Sequence, residues 1–278
     1  MEDQTEGQKE SHDEGHLEEE WLHGGISNAG AVTRAGPHVL RPSNPFSPTI
    51  HEFLGAIAAT GFDGASRPVA IQPDGRERLV YIEGVAPGPP YPAWARADDA
   101  LASIAALLRR FHAASATFDP AVRTFSPELA DPAGGSIVCH NDVCLDNVIF
   151  RDGVAVGFVD FDFAAPGRPL YDLAHLARLC VPLEDDGTRA LLGWEDADWP
   201  ARLRVVADAY GLDAAGRGEL LALVPLSMRR AQDFIQGRAE AGNPNFQLIW
   251  DFMGGAARFE RREQWWADHL DAFREALR

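Results

Sequence analysis

The stretch Cys139–Phe150, with the sequence CHNDVCLDNVIF, and the run Val159–Phe163, with the sequence VDFDF, decide the fold. The first stretch fits the pattern H-x-D-x-x-x-x-N, in which Asp142 is followed by Asn147 at the position that the pattern requires. Apolar residues flank both stretches, and a turn sequence Arg-Asp-Gly lies between them. We therefore predict a strand, a loop, a strand, a turn and a further strand over residues 136–163.

Three oxygen-bearing side chains in this segment suit the transfer of a phosphoryl group. Such a reaction needs a positioned hydroxyl nucleophile and a divalent cation held against the phosphate oxygens. Asp142 on a rigid loop would orient the hydroxyl and accept its proton, and the Asn147 amide oxygen would ligate the cation. Asp160, at the end of the second hairpin strand, would supply another hard oxygen ligand of the kind that Mg²⁺ prefers. The order of these parts is that of the protein-kinase signature.

The same segment resembles a known family. The run CHNDVCLDNVIF, followed by VGFVDFDFAAPGRPLYDLA, is similar to the His-x-Asp loop, the Val-Asp strand end and the Tyr-Asp-Leu-Ala motif of the aminoglycoside phosphotransferase family, which includes choline-kinase-like enzymes. The resemblance is specific over residues 136–176 and weaker over residues 20–278. It implies an α+β, two-lobed protein-kinase-like fold, with a small N-terminal antiparallel β-sheet lobe that carries one helix and a larger, mostly helical C-terminal lobe.

The resemblance also implies a role for each polar residue of the segment. Asp142 would be the catalytic base, and Asn147 and Asp160 would bind Mg²⁺, with ATP or GTP as the co-substrate. Asp162 occupies the position of the glycine in the kinase Asp-Phe-Gly motif, so two roles stay open for it, loop support and second metal ligand. Two more residues would support the loop, His140 by packing and Asp172 by anchoring it.

Turn residues and hydrophobic periodicity divide the chain into three regions. Residues 1–20 are almost all polar and rich in Asp and Glu, and they are predicted to form a disordered acidic tail. Residues 21–84 are predicted to form the nucleotide-binding lobe, with strands before and after one helix that begins near Ser47 or Thr49. Residues 85–278 begin with a Pro- and Gly-rich junction and are predicted to form the catalytic and substrate-binding lobe, which is largely helical.

The N-terminal lobe offers weaker signals for the nucleotide. A glycine-containing loop between two predicted strands would cover the phosphates with its backbone N–H groups, although an ordinary hairpin turn would look the same. Arg41 stands where kinases carry the lysine that holds the phosphates, although a surface arginine is the alternative. Glu52 is the acid on the following helix that would pair with it if the helical register brings it there. By analogy of fold, the connection 81–85, which contains Glu83, would bind the nucleobase. The loop residues expected to contact the phosphates are Gly25, Ser27 and Asn28.

The composition limits the classes of partner. The formal net charge of −17 disfavours nucleic acid, which requires clustered Lys and Arg, and favours a cationic small molecule. No stretch approaches the roughly 20 apolar residues that cross a bilayer, and the acidic N-terminus lacks the basic start of a signal peptide. We therefore expect a cytoplasmic protein that does not bind membranes. The three cysteines form no C-x-x-C pair and indicate buried thiols rather than a metal site.

These features predict a small-molecule kinase that transfers the γ-phosphoryl group of ATP or GTP to a hydroxyl of a small, cationic, aminoglycoside-like substrate. A choline, ethanolamine, homoserine or sugar kinase is the alternative within the same class. A catalytically silent kinase-like binding or immunity protein is the alternative outside it, and the retention of all three oxygen-bearing residues disfavours it. A monomer or a homodimer is expected. Four acids of the C-terminal region could bind amines of the acceptor, although a solvated helical face is the favoured interpretation of each: Asp233, Glu240, Asp251 and Glu260.

Overall fold

The smaller lobe is an antiparallel sheet with one helix. The structure, a computed structural model, describes residues 19–22, 30–194 and 197–278. Within these ranges the strands of this lobe form one sheet in the order β1-β2-β3-β5-β4, and α1 packs against β4. The elements are β1 (Glu19–Trp21), β2 (Thr33–Ala35), β3 (His38–Pro42), α1 (Ser47–Ala59), β4 (Pro68–Ile71) and β5 (Arg76–Val80).

The larger lobe is mostly helical, with two short two-stranded sheets between its first two helices. Strand β6 pairs with β9, and β7 pairs with β8, both antiparallel. The elements are α2 (Asp98–Ser115), β6 (Ile137–Cys139), β7 (Val148–Arg151), β8 (Val154–Phe158), β9 (Ala165–Gly167), α3 (Pro169–Cys180), α4 (Asp186–Leu191), α5 (Trp199–Tyr210), α6 (Ala214–Glu240), α7 (Pro244–Phe252) and α8 (Gly255–Ala276). None of the helices in the described part of the chain is long and apolar enough to cross a membrane.

Aromatic side chains join the two lobes into one core. Phe111 of α2 is fully buried, and its ring lies 6.0 Å from Phe53 of α1 and 6.1 Å from Phe158 of β8. Such edge-to-face pairs stabilise a core beyond the area that they bury. Helix α1 of the small lobe therefore packs on α2, and α2 packs on the β7–β8 hairpin that precedes Asp160.

The predicted two-lobed fold is confirmed, and the local elements follow their sequence signals closely. The turn between β7 and β8 places Asp152 and Gly153 at φ values of +52° and +78°, which Asp and Gly tolerate in tight hairpins. The predicted acidic tail, residues 1–20, lies outside the described residues except for its end, where Glu19 and Glu20 form strand β1 with Trp21.

The junction between the lobes runs close to the hairpin that β7 and β8 form. Val85 forms a β-bridge with Phe150 of β7, and each donates its N–H to the other's carbonyl at 2.9 Å. Gly84 has a φ of +150°, and a Cβ at this position would lie 2.6 Å from the Phe150 carbonyl oxygen. Only glycine allows this close approach, so the junction is held against the strand that follows Asn147.

Candidate active site

Asp172 of α3 is fully buried and fixes the central loop (residues 140–147) from behind. Its two carboxylate oxygens accept hydrogen bonds from the backbone N–H groups of His140 and Asn141, each at 2.8 Å. Its Oδ2 also lies 2.9 Å from His112 Nε2, and His112 Nδ1 lies 2.6 Å from the Tyr210 hydroxyl. Burial raises the pKa of Asp172, but the hydrogen bonds to the ionised form outweigh it and lower the pKa. An ionised carboxylate therefore holds the loop in place.

Replacing Asp172 by Asn is expected to lower the free energy of unfolding by about 3 kcal/mol or more, because the buried charge is lost and donors are left unpaired. Urea denaturation measures this change. The matched control is Asp152→Asn in the exposed β7–β8 turn, which should change stability by less than about 0.5 kcal/mol. Equal urea midpoints for the Asp172 variant and the wild type would show that this carboxylate does not anchor the loop.

His140 packs beneath the central loop. Its ring is fully buried, with Nε2 3.0 Å from the Val159 carbonyl oxygen and Nδ1 accepting the Asp142 N–H at 3.3 Å. The ring also packs on Phe161 at a centroid distance of 4.5 Å. Burial lowers the pKa of His140, so the ring is neutral, in agreement with one donating and one accepting nitrogen. These contacts suit a packing role rather than acid–base chemistry.

Two buried histidines make the folded state sensitive to mild acid. Burial lowers the pKa of both His140 and His175, that of His175 to about 3, whereas an unfolded histidine titrates near 6.5. Below about pH 6.5 the unfolded state binds more protons than the folded state, so stability falls by about 1.4 kcal/mol per pH unit for each histidine. We expect Tm to fall between about pH 7 and about pH 5.5. His175→Gln should make this slope smaller, and an unchanged slope would contradict the assignment.

Asp142 and Asn147 lie side by side on the central loop. The Asn147 Nδ2 donates to Asp142 Oδ2 at 3.0 Å and to the Asp142 carbonyl at 2.9 Å. Because the amide nitrogen is committed to Asp142, the amide oxygen is the Asn147 atom that can ligate a cation. Burial, and then the negative charge of Asp160, raise the pKa of Asp142 to about 7. A carboxylate with such a pKa is suited to accept a proton near neutral pH.

Arg41 of β3 reaches across the cleft to the acidic end of β8. It donates to Asp160 Oδ1 at 3.1 Å and to Asp162 Oδ1 at 2.5 Å, and Asn44 also donates to Asp162 Oδ1 at 2.9 Å. Burial lowers the pKa of Arg41, but the neighbouring carboxylates outweigh this effect and raise it. Asp160 has a φ of +63°, a sparsely populated conformation for a residue other than glycine. The Arg41 guanidinium group of the small lobe therefore contacts the Asp160 and Asp162 carboxylates of the large lobe.

The prediction that Glu52 pairs with Arg41 is wrong. Glu52 lies on the outer face of α1 and forms an ion pair with Arg123 at 2.5 Å. The acid beside Arg41 is Glu77, the residue opposite it in the β3–β5 ladder. Glu77 is only 5 % exposed, accepts a hydrogen bond from Ser47 at the start of α1, and helps to raise the pKa of Arg41. The register between β3 and β5 brings Glu77 opposite Arg41. Helical periodicity in the sequence could not have predicted this contact.

A cavity of about 340 Å³ lies between the lobes. Its walls include Asn147, Asp160 and most of the junction that follows β5. Glu83, the junction residue expected to bind the nucleobase, does not line it, because its carboxylate pairs with Arg34 at 2.7 Å and its carbonyl accepts from Arg151 at 3.0 Å. The lining of the cavity is apolar on one side and charged, with Arg41, Asp160 and Asp162, on the other. Among its apolar lining residues are Val39, Ile50, Leu54, Leu79, Ile149 and Phe161.

The charged end of the cavity fits a hard divalent cation. Asn147 offers an amide oxygen and Asp160 and Asp162 offer carboxylate oxygens, which is the donor chemistry that Mg²⁺ and Ca²⁺ select. Burial, and then the Asp160 charge, raise the pKa of Asp162, while Arg41 opposes them. Two neighbouring carboxylates beside one arginine leave an excess of negative charge, which a bound cation would balance.

Other predicted positions do not contribute to the described site. Gly25, Ser27 and Asn28, the residues expected to cover the phosphates, lie outside the described residues. The four acids expected to bind acceptor amines are all exposed, and two of them bond to glutamines one turn away on their own helices. Those four acids are Asp233, Glu240, Asp251 and Glu260. The helices behind the central loop instead carry buried or half-buried arginines, which sequence reasoning did not single out.

Comparison with known proteins places this site in a family. A model of the phosphotransferase enzyme family matches residues 122–221, the part that contains the central loop, strands β6 to β9 and helix α3. The chain is also 34 % identical over 197 residues to the trifolitoxin immunity protein of Rhizobium leguminosarum bv. trifolii. This similarity covers 67 % of the chain and 72 % of that protein.

Solved structures share the fold of the whole chain. A choline/ethanolamine kinase family protein from Mesorhizobium loti superimposes with a TM-score of 0.61 at 19 % identity, covering 95 % of this chain and 94 % of that one. The ADP-bound aminoglycoside phosphotransferase APH(2'')-Ib gives a TM-score of 0.52 at 16 % identity, covering 94 % and 95 %. The resemblance noted in the sequence is thereby confirmed, and the chain belongs to the phosphotransferase enzyme family.

Proposed function

We propose that the chain is a kinase that transfers the γ-phosphoryl group of ATP or GTP to a hydroxyl of a small molecule. The observation that carries this proposal is that Asn147 and Asp160 line the charged end of the cavity between the lobes, while Asp142 is bonded to Asn147 and lies near enough to Asp160 for their charges to interact. The ADP-bound neighbour of the same fold supports a nucleotide in this cleft.

In this proposal each residue has a defined task. Asp142, with its pKa raised to about 7, orients the acceptor hydroxyl and accepts its proton during transfer. Asn147 and Asp160 hold Mg²⁺, which when bound neutralises charge that develops on the phosphate oxygens. Arg41, now bonded to Asp160 and Asp162, would add a bidentate contact to the phosphates. Asp172 and His140 keep the central loop in the conformation that these tasks need.

A second candidate function is favoured by the 34 % identical relative, which is an immunity protein. A kinase-like immunity protein would either phosphorylate a toxic molecule or bind it without turnover. The first variant is the proposed kinase with a toxin as its acceptor. The second variant would keep the fold and the cleft but would not release a nucleoside diphosphate.

Turnover separates these candidates. We would follow ADP or GDP release in a coupled assay with Mg²⁺ and a panel of hydroxyl compounds that spans amino alcohols, sugars, hydroxy acids, aminoglycosides and small peptides. The kinase proposal predicts release that depends on at least one acceptor. Binding of a panel compound with no release of diphosphate above the acceptor-free rate would instead support the silent immunity protein.

A further inference from the structure

Four buried or half-buried arginines lie on helices that pack behind the central loop, and none of them lines the nucleotide cavity. Helix α3 touches the loop directly, since Cys180 Sγ donates to the Val143 carbonyl at 3.4 Å. Helix α6 packs on α3, since Ser227 Oγ donates to the Ala174 carbonyl at 3.3 Å. The arginine cluster consists of Arg178 on α3, Arg230 on α6, and Arg258 and Arg262 on α8.

Two members of the arginine cluster are already paired. Arg258 and Arg262 both contact Glu184 Oε1, at 2.5 Å and 3.4 Å, and Arg262 also donates to the Met228 carbonyl at 2.9 Å. They are 7 % and 2 % exposed, so they and Glu184 form a buried structural network.

The other two members lack an acidic partner. Neither Arg178 nor Arg230 forms an ion pair with any acid in residues 19–22, 30–194 and 197–278, and the buried Nε of each has no hydrogen-bond partner there. Arg178 has a single hydrogen bond, 3.2 Å long, to His175 Nδ1. Burial raises the pKa of Tyr171 to about 12, and the nearby guanidinium groups of Arg230 and Arg178 oppose this rise. Both cations therefore lie close to the Tyr171 side chain.

Arg178 and Arg230 are not neutralised by ion pairs within the described residues. Of the acids nearby, Glu184 pairs with Arg258 and Arg262, Asp172 is bonded to His112 and the loop backbone, and Asp142 interacts with Arg178 through charge alone. Burial lowers the pKa of Arg178 and that of Arg262, the latter to about 10, and neighbouring arginines add to both effects. The net charge of −17 therefore does not describe this part of the molecule. A cationic acceptor would meet repulsion here, and an anionic one would meet unpaired donors.

We propose that the hydroxyl acceptor carries a carboxylate or phosphate group, which Arg178 and Arg230 bind so that the hydroxyl reaches Asp142. This inference rests on the proposed kinase function and reverses the expectation of a cationic acceptor. Arg178 lies near enough to Asp142 for each charge to stabilise the other, so an anion bound at Arg178 lies beside the base. Guanidinium groups bind planar carboxylates and phosphates with two parallel hydrogen bonds, which gives the site geometric specificity.

A thermal-shift titration tests the anion site without a known acceptor. The full chain, saturated with Mg²⁺ and AMP-PNP so that the nucleotide site is filled, is titrated at constant ionic strength with acetate, sulfate or inorganic phosphate, and with choline. We expect at least one anion, and not choline, to raise Tm. Comparing the Tm rise in acetate with the Tm rise in sulfate or phosphate distinguishes a carboxylate site from a phosphate site. If AMP-PNP itself does not bind, the proposed function fails, and the same titration without nucleotide still tests the anion site.

Variants identify the residues. Arg178→Gln and Arg230→Gln should each weaken anion binding about tenfold or more, as expected for a lost charge-assisted bidentate contact. Arg178→Lys should restore part of it, because it keeps the charge. Arg261→Gln, at an exposed arginine of α8 that pairs with Asp185 at 3.5 Å, is the matched control and should have no effect. Three outcomes would overturn the inference. They are a rise of Tm with choline alone, no rise of Tm with any anion, and a rise of Tm with anions that persists in both the Arg178→Gln and the Arg230→Gln variant.

Discussion

Replacing Asp142 by Asn is expected to lower kcat by about 10²-fold or more, because the variant cannot accept the proton of the acceptor hydroxyl. Asn has nearly the same shape as Asp, so the central loop should keep its conformation. Burial and Asp160 raise the pKa of Asp142 to about 7, so the wild-type residue is poised to take a proton near neutral pH. The loss should appear in kcat and much less in the affinity for the nucleotide, since Asn147 and Asp160 are unchanged.

Asp152→Asn is the matched control, since it makes the same chemical change in the exposed β7–β8 turn. It should leave kcat and the urea midpoint at wild-type values. The measurement is diphosphate release with the acceptor that the substrate panel identifies. Turnover of the Asp142 variant at the wild-type rate would show that another group is the base.

Replacing Asp160 by Asn is expected to weaken Mg²⁺-dependent nucleotide binding by about tenfold or more, because a charged oxygen ligand becomes a neutral one. Titration calorimetry with AMP-PNP at a fixed Mg²⁺ concentration measures this effect. Asp160 is also an acceptor for Arg41, at 3.1 Å, so the variant removes one link between the lobes. The urea midpoint must therefore be measured beside the affinity.

A titration of the same two proteins in EDTA separates the metal effect from any general change of the cleft. Without a divalent cation, the wild type and the Asp160 variant should bind the nucleotide with similar, weak affinity. Asp162→Asn gives a comparison at the neighbouring carboxylate. If the Asp160 variant binds Mg²⁺–AMP-PNP as tightly as the wild type does, Asp160 is not a metal ligand.

The parts of the site that lie close together in sequence could be predicted. Asp142, Asn147 and Asp160 fall within one loop and one hairpin, so the turn after β7 and the pairing of β7 with β8 determine their spacing. The same holds for helix α1, whose apolar face has an unbroken helical period. Local periodicity and turn chemistry are sufficient in such segments.

The parts that depend on distant residues could not be predicted. Glu77 meets Arg41 only because β3 and β5 pair in a particular register, and no helical spacing encodes that pairing. Asp172 was expected to anchor the loop, but its partner His112 lies on α2, far away in sequence. The arginine cluster behind the loop is also assembled from three separate helices, and the overall acidic composition gives no sign of it.

The structure of the protein crystallised with Mn²⁺ and AMP-PNP tests the central claim most directly, because the anomalous signal of manganese locates the cation. We expect the anomalous peak beside the Asn147 amide oxygen and the Asp160 carboxylate, with the triphosphate in the cavity between the lobes and its terminal phosphate facing Asp142. An anomalous peak bound by other residues, or a triphosphate outside this cavity, would contradict the assignment of these three side chains to one phosphotransfer site.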